Sequence, residues 1–174
     1  MSRKCIKCGV CEMVCPSSLS ALRAIDLKRC RIPPSMETAN CTTCNRCVAA
    51  CPMGVHITKS IEKMRNNFFT PGYRETLYNL SAYGSSVVPD VRLNVKPGRC
   101  KTAYFAGCLT NYRLRAIADA VASTLDFMGI EFTRIEEACC GSPLNRIGRF
   151  DLARETLEKN LRRFRELGVE RVVT

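Results

Sequence analysis

Eight cysteines fall in two runs of identical spacing, Cys5-x-x-Cys8-x-x-Cys11-x-x-x-Cys15-Pro16 and Cys41-x-x-Cys44-x-x-Cys47-x-x-x-Cys51-Pro52. Thiolate is a soft, anionic ligand, and clustered thiolates at two-residue gaps are built to hold metal. Such gaps let one short loop wrap a cube of iron and sulfide, presenting three sulfurs while backbone N–H groups donate to the sulfides. The fourth cysteine is expected at the start of a helical turn, pointing away from its own loop. The proline after it removes a competing N–H and stops the turn from closing back.

Two copies of such a run make an internal repeat, and the spacing is that of bacterial-type two-cluster ferredoxins. The expected ligation is therefore crossed. Cys5, Cys8, Cys11 and Cys51 would hold one [4Fe–4S] cluster, and Cys41, Cys44, Cys47 and Cys15 the other. Crossing brings two clusters within fast electron-transfer range and makes each a staple for a segment too small to fold alone. Zinc shares the Cys-x-x-Cys half-site. Two complete runs, each closed by Cys-Pro, favour iron.

The same cysteines bound the class of protein. The chain has 174 residues, 46% of them hydrophobic, and 13 cysteines. An extracellular disulfide scaffold is disfavoured by the odd cysteine count, the two-residue gaps and the lack of an apolar signal segment after Met1. Charged residues interrupt every apolar stretch, so no transmembrane helix is expected. A cytoplasmic, reducing or anaerobic setting follows, with any membrane association coming through a partner. The net charge of +11 invites a nucleic-acid reading. Part of the excess, however, lies beside the cysteine runs at Arg3, Lys4, Lys7 and Arg46, where it can offset a cluster charge of about −2. The rest falls mainly on helix faces such as RRFRE at 162–166, suited to solvent or to an acidic partner protein. No nucleic-acid partner is expected.

Three elements must position these thiols. Residues 1–67 read as the two-cluster module, with a short amphipathic helix over 18–30 carrying Leu19, Leu22, Ile25 and Leu27, a break at Pro33-Pro34, and a helix over 58–67. Cys30 belongs to neither run and reads as an ordinary thiol. His56 could tune a cluster or carry a proton, but no carboxylate partner is indicated, so a structural or solvent-facing role is favoured. Residues 68–100 are punctuated by Pro71, Pro89 and Pro97 and read as a linker with a helical piece at 75–80, packed by Phe68, Phe69, Tyr73 and Tyr78. From 101 onward the periodicity is strand, helix, strand, helix, strand. The strands are expected at 101–107, 131–136 and 169–174. The first helix presents Leu114, Ile117, Ala118, Val121, Leu125 and Met128 on one face, and the second runs from about 149 to 167. The whole reads as α+β: a small helical ferredoxin-like module followed by a partial α/β parallel sheet. Three more cysteines, Cys108 and the adjacent pair in EACCGSP at 137–143, then fall just after strand ends, where open α/β sheets place ligands. Packing rarely asks for two neighbouring thiols, since one buries as well as two.

With those residues in view, YFAGC at 104–108 and ACCGSP at 138–143 resemble the cysteine-rich "CCG" domain. Two ferredoxin runs followed by that domain resemble the D type of heterodisulfide reductase and the iron–sulfur subunits of glycolate oxidase and anaerobic glycerol-3-phosphate dehydrogenase. The resemblance implies that Cys108, Cys139 and Cys140 are catalytic, metal-binding cysteines. It also implies a third, non-cubane or partner-completed [4Fe–4S] cluster, in which paired cysteines let one site serve two irons. The family signature closes with Cys-x-x-Cys, which would fall beyond Thr174. Residues 101–174 are then the N-terminal half of the domain, and another chain or a further portion would supply the missing ligands. The function implied is electron transfer through two cubanes toward the CCG site, from a flavin, cytochrome or iron–sulfur partner protein. The rival is a non-catalytic wiring or assembly subunit that docks a separate catalytic chain. Catalysis by this chain alone is not expected.

Overall fold

The computed structural model describes residues 5–19, 36–67 and 70–174. The expected helix beyond Leu19, Cys30, Pro33-Pro34 and the Phe68-Phe69 pair lie outside the described residues, as do Arg3 and Lys4. The chain divides into two units, residues 1–70 with 145–149, and residues 71–144 with 150–174.

The first unit is built from short pieces. Helix α1 spans Val10–Met13, a 3₁₀ turn spans Met36–Asn40, α2 spans Arg46–Ala49 and α3 spans Ile57–Arg65. Four-residue helices do not stand alone, because nucleation costs more than one turn returns. Only α3 has the length to present a face, and it buries Ile57, Ile61 and Met64, one residue or so per turn. Those side chains join Leu19 and Cys47 in a small core, with Cys11, Val14, Cys15, Cys41, Val48 and Val55 packed against it. Half of what surrounds this core is therefore thiol.

The second unit is mixed α and β. Helix α4 spans Pro71–Tyr83, β1 Thr102–Tyr104, α5 Cys108–Tyr112, α6 Arg115–Phe127, α7 Ser142–Arg146, whose last two residues belong to the first unit, α8 Phe150–Glu166 and β2 Arg171–Val173. Helix α4 is longer than the piece expected at 75–80. Tyr78 is exposed and meets Tyr83 edge to face instead of packing a layer. Strands β1 and β2 pair in parallel, with Thr102 opposite Arg171, Ala103 opposite Val172 and Tyr104 opposite Val173.

The strand expected at 131–136 is reduced to two bridges, Thr133 with Ala103 and Arg134 with Lys96. Consecutive residues bond to opposite neighbours, as residues of an inner strand do. Thr133 exchanges hydrogen bonds with β1, while the Arg134 backbone pairs with Lys96. The segment makes one rung on each side.

The face expected on α6 is also narrower in fact. Ala118 and Leu125 are buried and Val121 is half-buried, but Leu114, Ile117 and Met128 are exposed. Leu114 and Met128 sit at the helix caps, outside the turns that meet the sheet. The stripe that does pack, with Ala122 beside it, covers Tyr104 and Phe132 on one side of β1. On the other side Phe164 of α8 packs with Ala103 and Ile135, its ring edge to face with Phe105 at 6.2 Å. Phe164→Ala should cost the second unit about 3–5 kcal/mol, read as a lower midpoint in urea unfolding of the full chain followed by circular dichroism. A loss below about 1 kcal/mol would mean that the α8 contact is not a core contact.

Candidate metal centres

The two cysteine loops of the first unit repeat each other bond by bond. Lys7 and Thr43, two residues after the first cysteine of each run, have φ of 57° and 54°. Gly9 and Asn45, the caps of α1 and α2, have φ of 78° and 63°. Left-handed backbone at non-glycine residues is uncommon and is kept where the surroundings enforce it. It turns the chain inward, so that the Lys7 N–H donates to Cys5 Sγ at 3.2 Å and the Thr43 N–H to Cys41 Sγ at 3.4 Å. Thr58 of α3 donates its hydroxyl to Asn45 Oδ1 at 2.7 Å, bracing the second loop. Val55 N–H donates to Cys51 Sγ at 3.4 Å. The third cysteine of each run lies on the helical turn, and the fourth opens the next turn, as the spacing predicts: the Cys15 carbonyl accepts from the Ser18 N–H at 3.2 Å and the Cys51 carbonyl from the Gly54 N–H at 3.0 Å.

A narrow cavity is lined by Cys41, Cys44 and Cys47 together with Cys15, while Leu19 and Ile61 supply apolar wall. Cys51, the last member of the same run, is absent from that lining. Bringing these sulfurs together is electrostatically unfavourable without a cation. Burial, and then the charges of Cys41, Cys11 and Cys15, push the Cys47 thiol up to about 11. Burial raises Cys41 too, partly offset by the Thr43 N–H and by Arg65. Cys44, at the surface, is lowered, chiefly by the Arg46 N–H. In the other set, burial raises Cys11, and the neighbouring charges of Cys5 and Cys8 add to the rise. Thiols held this way are poor anions alone and good ligands once iron supplies the positive charge. Among the described residues no three Cys, His, Asp or Glu side chains stand close enough to hold a single metal ion. The donor set suits a cluster, whose cysteines each bind a different iron. His56 is exposed and precedes α3.

In the second unit the structure brings Cys108 and Cys139 together, their sulfurs 4.0 Å apart. The adjacent pair divides its labour. Cys139 is 0% exposed, while Cys140 faces solvent. Thiol–thiol hydrogen bonding with Cys139 lowers Cys108 to about 5 and Cys140 to about 6, and the same contacts raise Cys139. Ser86 Oγ lies 3.0 Å from Cys108 Sγ, and Gly84 C=O accepts from the Cys139 N–H at 2.8 Å. Leu80, Val87, Val91 and Leu93 pack over Cys108, Cys139 and Tyr112. Residues 80–93, expected as linker, thus wall the thiol site.

Two polar side chains hold the loops in place. The Glu137 carboxylate accepts from the N–H groups of Ala106 and Gly107, both at 2.8 Å, and from Asn111 Nδ2 at 3.2 Å. It ties the loop before Cys108 to the loop carrying Cys139. Burial pushes its carboxyl up to about 7 against the lowering effect of those N–H groups. Buried Arg134 steadies Asn111 in turn, donating to Asn111 Oδ1 at 2.9 Å. Asn160 of α8 accepts from the Ala138 N–H at 3.0 Å and donates to the carbonyls of Ala138 and Cys139 at 2.9 and 3.2 Å. Gly141 has φ of 82°, and a Cβ there would sit 2.8 Å from the Ala153 carbonyl oxygen. The third letter of Cys-Cys-Gly is thus fixed by the approach of α8.

No motif or spacing in the sequence points to a role for Ser86, Glu137, Asn111 or Asn160. Asn160 leaves one trace, a polar residue on the stripe that also carries buried Ala153 and Phe164. Glu137→Ala should lower stability by about 1–3 kcal/mol, since three donors lose their acceptor, and Glu137→Gln by less, because one acceptor oxygen remains. Wild-type unfolding midpoints for both variants would show that the clamp carries nothing. Gly141→Ala should cost about 1–3 kcal/mol through strain at positive φ, with a thermal melt as the check.

Residues 102–174 match the family described as cysteine-rich domain, CCG, and residues 4–55 match the 4Fe–4S dicluster domain. The chain is 33% identical to an uncharacterized iron–sulfur protein of Methanococcus maripaludis over 152 residues, 78% of this chain and 31% of the relative. It is 30% identical to one subunit of the dihydromethanophenazine:CoB–CoM heterodisulfide reductase of Methanosarcina mazei, covering 79% of this chain and 38% of that relative. It is 29% identical to one subunit of the CoM/CoB fumarate reductase of Methanothermobacter marburgensis, covering 70% of this chain and 27% of that relative. The chain thus spans about a third of the length of these relatives. No solved structure matches it. Two cysteine runs, a walled pair of thiols and these matches lead to one conclusion: the chain carries a 4Fe–4S dicluster domain and a CCG cysteine-rich domain, and is an iron–sulfur protein homologous to heterodisulfide reductase subunits.

Proposed function

We propose that this chain is the electron-transfer portion of a heterodisulfide-reductase-like oxidoreductase, carrying electrons toward the site of Cys108, Cys139 and Cys140. Cys41, Cys44, Cys47 and Cys15 hold one [4Fe–4S] cluster, and Cys5, Cys8, Cys11 and Cys51 the other. The observation that supports this most directly is the cavity lining, which takes Cys15 from the first run and omits Cys51 from the second. When bound, such clusters supply one-electron acceptance and release.

The residues of the chain do the rest. The left-handed turns at Lys7 and Thr43 aim backbone N–H groups at the sulfurs of Cys5 and Cys41. Leu19, Ile57 and Ile61 exclude water beside the second set of ligands, and dryness strengthens every charge interaction there.

Cys108, Cys139 and Cys140 form a further iron-binding and disulfide-reducing site. Two features favour it: a buried Cys139 whose sulfur lies 4.0 Å from that of Cys108, and Ser86 within hydrogen-bond reach of Cys108. Heterodisulfide reductase is the activity for which the Methanosarcina relatives are named, and a heterodisulfide is the substrate class proposed here. The electron donor is a partner protein with flavin, haem or iron–sulfur groups, and the setting is cytoplasmic. No described helix is long and apolar enough to cross a membrane.

The first test is iron and acid-labile sulfide per chain after anaerobic purification, with EPR of the dithionite-reduced protein. About eight irons are expected from two four-iron clusters, and a further complement if the thiol triad is also filled. Cys15→Ser and Cys44→Ser should abolish one and the same cubane signal, and Cys51→Ser and Cys8→Ser the other. Loss of a shared signal in Cys8→Ser and Cys15→Ser would overturn the crossed assignment. Intact cubane signals with no thiol-responsive signal, even beside the partner proteins, would favour the wiring role instead.

A further inference from the structure

We propose that Arg65 is the internal countercharge of the cluster held by Cys15, Cys41, Cys44 and Cys47, and that it makes this cluster easier to reduce. The inference rests on the ligand assignment above. Arg65 ends α3 and is 4% exposed. Its Nε donates to the Thr38 carbonyl at 3.2 Å, and its NH2 group donates to the carbonyls of Thr38, Ala39 and Cys41. Its remaining nitrogen donates to the Arg146 carbonyl at 3.1 Å. Every one of these acceptors is a neutral backbone oxygen. Among the described residues no carboxylate pairs with it, although six other cations are so paired.

A buried cation without an anion is costly, and carbonyl dipoles offset only part of that cost. An arginine in such a place calls for negative charge close by. The acceptors identify where that charge is. One of them is the carbonyl of Cys41 itself, so the guanidinium is fixed behind the first ligand of the run. A cluster with four thiolate ligands carries about −2 when oxidised and gains one more negative charge on reduction. A fixed positive charge in a dry wall stabilises the reduced form more than the oxidised form, which raises the potential.

The plain alternative is that Arg65 is only a staple, gathering the carbonyls that lead into the second run. That role also suits a planar fork of donors. The two separate in their readouts, because a staple moves stability whereas a countercharge moves a potential in one direction.

The experiment is an EPR-monitored redox titration of the anaerobic full-length chain as wild type, Arg65→Gln and Arg65→Lys. In Arg65→Gln one of the two cubane signals should move to lower potential by about tenfold in its reduction equilibrium, ~59 mV for a one-electron couple. Arg65→Lys, which keeps the charge but not the fork, should move less than half as far. No shift in Arg65→Gln, or equal shifts in both variants, would overturn the proposal. Should Arg65→Gln fail to retain clusters, Arg65→Lys decides: a near wild-type potential supports the countercharge, and a full tenfold fall refutes it. Cys41→Ser serves as the control, since it should abolish the signal that moves. If both cubane signals survive that substitution, it is the ligand assignment that fails.

Discussion

Crowding of thiolates is the constraint from which most of the first unit follows. Four sulfurs gathered at one cavity repel one another as anions, and the surrounding burial pushes Cys47 and Cys41 toward their protonated forms. Helices of four residues and a core of Leu19, Ile57, Ile61, Met64 and Cys47 contribute too little apolar contact to impose that crowding by themselves. A positively charged iron core reverses the sign of the problem, making ligand gathering favourable and turning the cysteines into the centre of the fold. The left-handed residues at Lys7, Thr43 and Asn45 are strained positions that such a centre can hold in place.

The second unit solves a different problem, which is to bring loops from distant parts of the chain to one point. Here polar side chains act as clamps. Glu137 closes on the N–H groups of Ala106 and Gly107, Asn160 closes on both sides of the Ala138 peptide, and Gly84 takes the Cys139 N–H. Each clamp satisfies backbone groups that a tight, partly buried loop would otherwise leave unpaired. The same contacts set the geometry of Cys108 and Cys139, so the groups that stabilise the loops also position the thiols. Gly141 adds a steric condition, because α8 approaches too closely for any side chain there.

The sequence by itself determined what kind of chemistry this protein carries. Ligand type and ligand spacing are local properties, so the two runs, their Cys-Pro endings and the Cys-Cys-Gly motif could be read directly, and the helices α3, α6 and α8 announced themselves by period. Tertiary structure decided everything that depends on which distant groups meet. It reduced the strand at 131–136 to two bridges, one to Lys96 and one to β1. It left Leu114, Ile117 and Met128 exposed, because only the sheet fixes which stripe of α6 is covered. It showed which side chains of residues 80–93 wall the thiol site, namely Leu80, Val87, Val91 and Leu93. It also gave Glu137, Asn160 and Arg65 their roles, which no spacing rule encodes: a carboxylate, an amide or a guanidinium acquires meaning from the backbone it reaches, and that backbone lies up to tens of residues away.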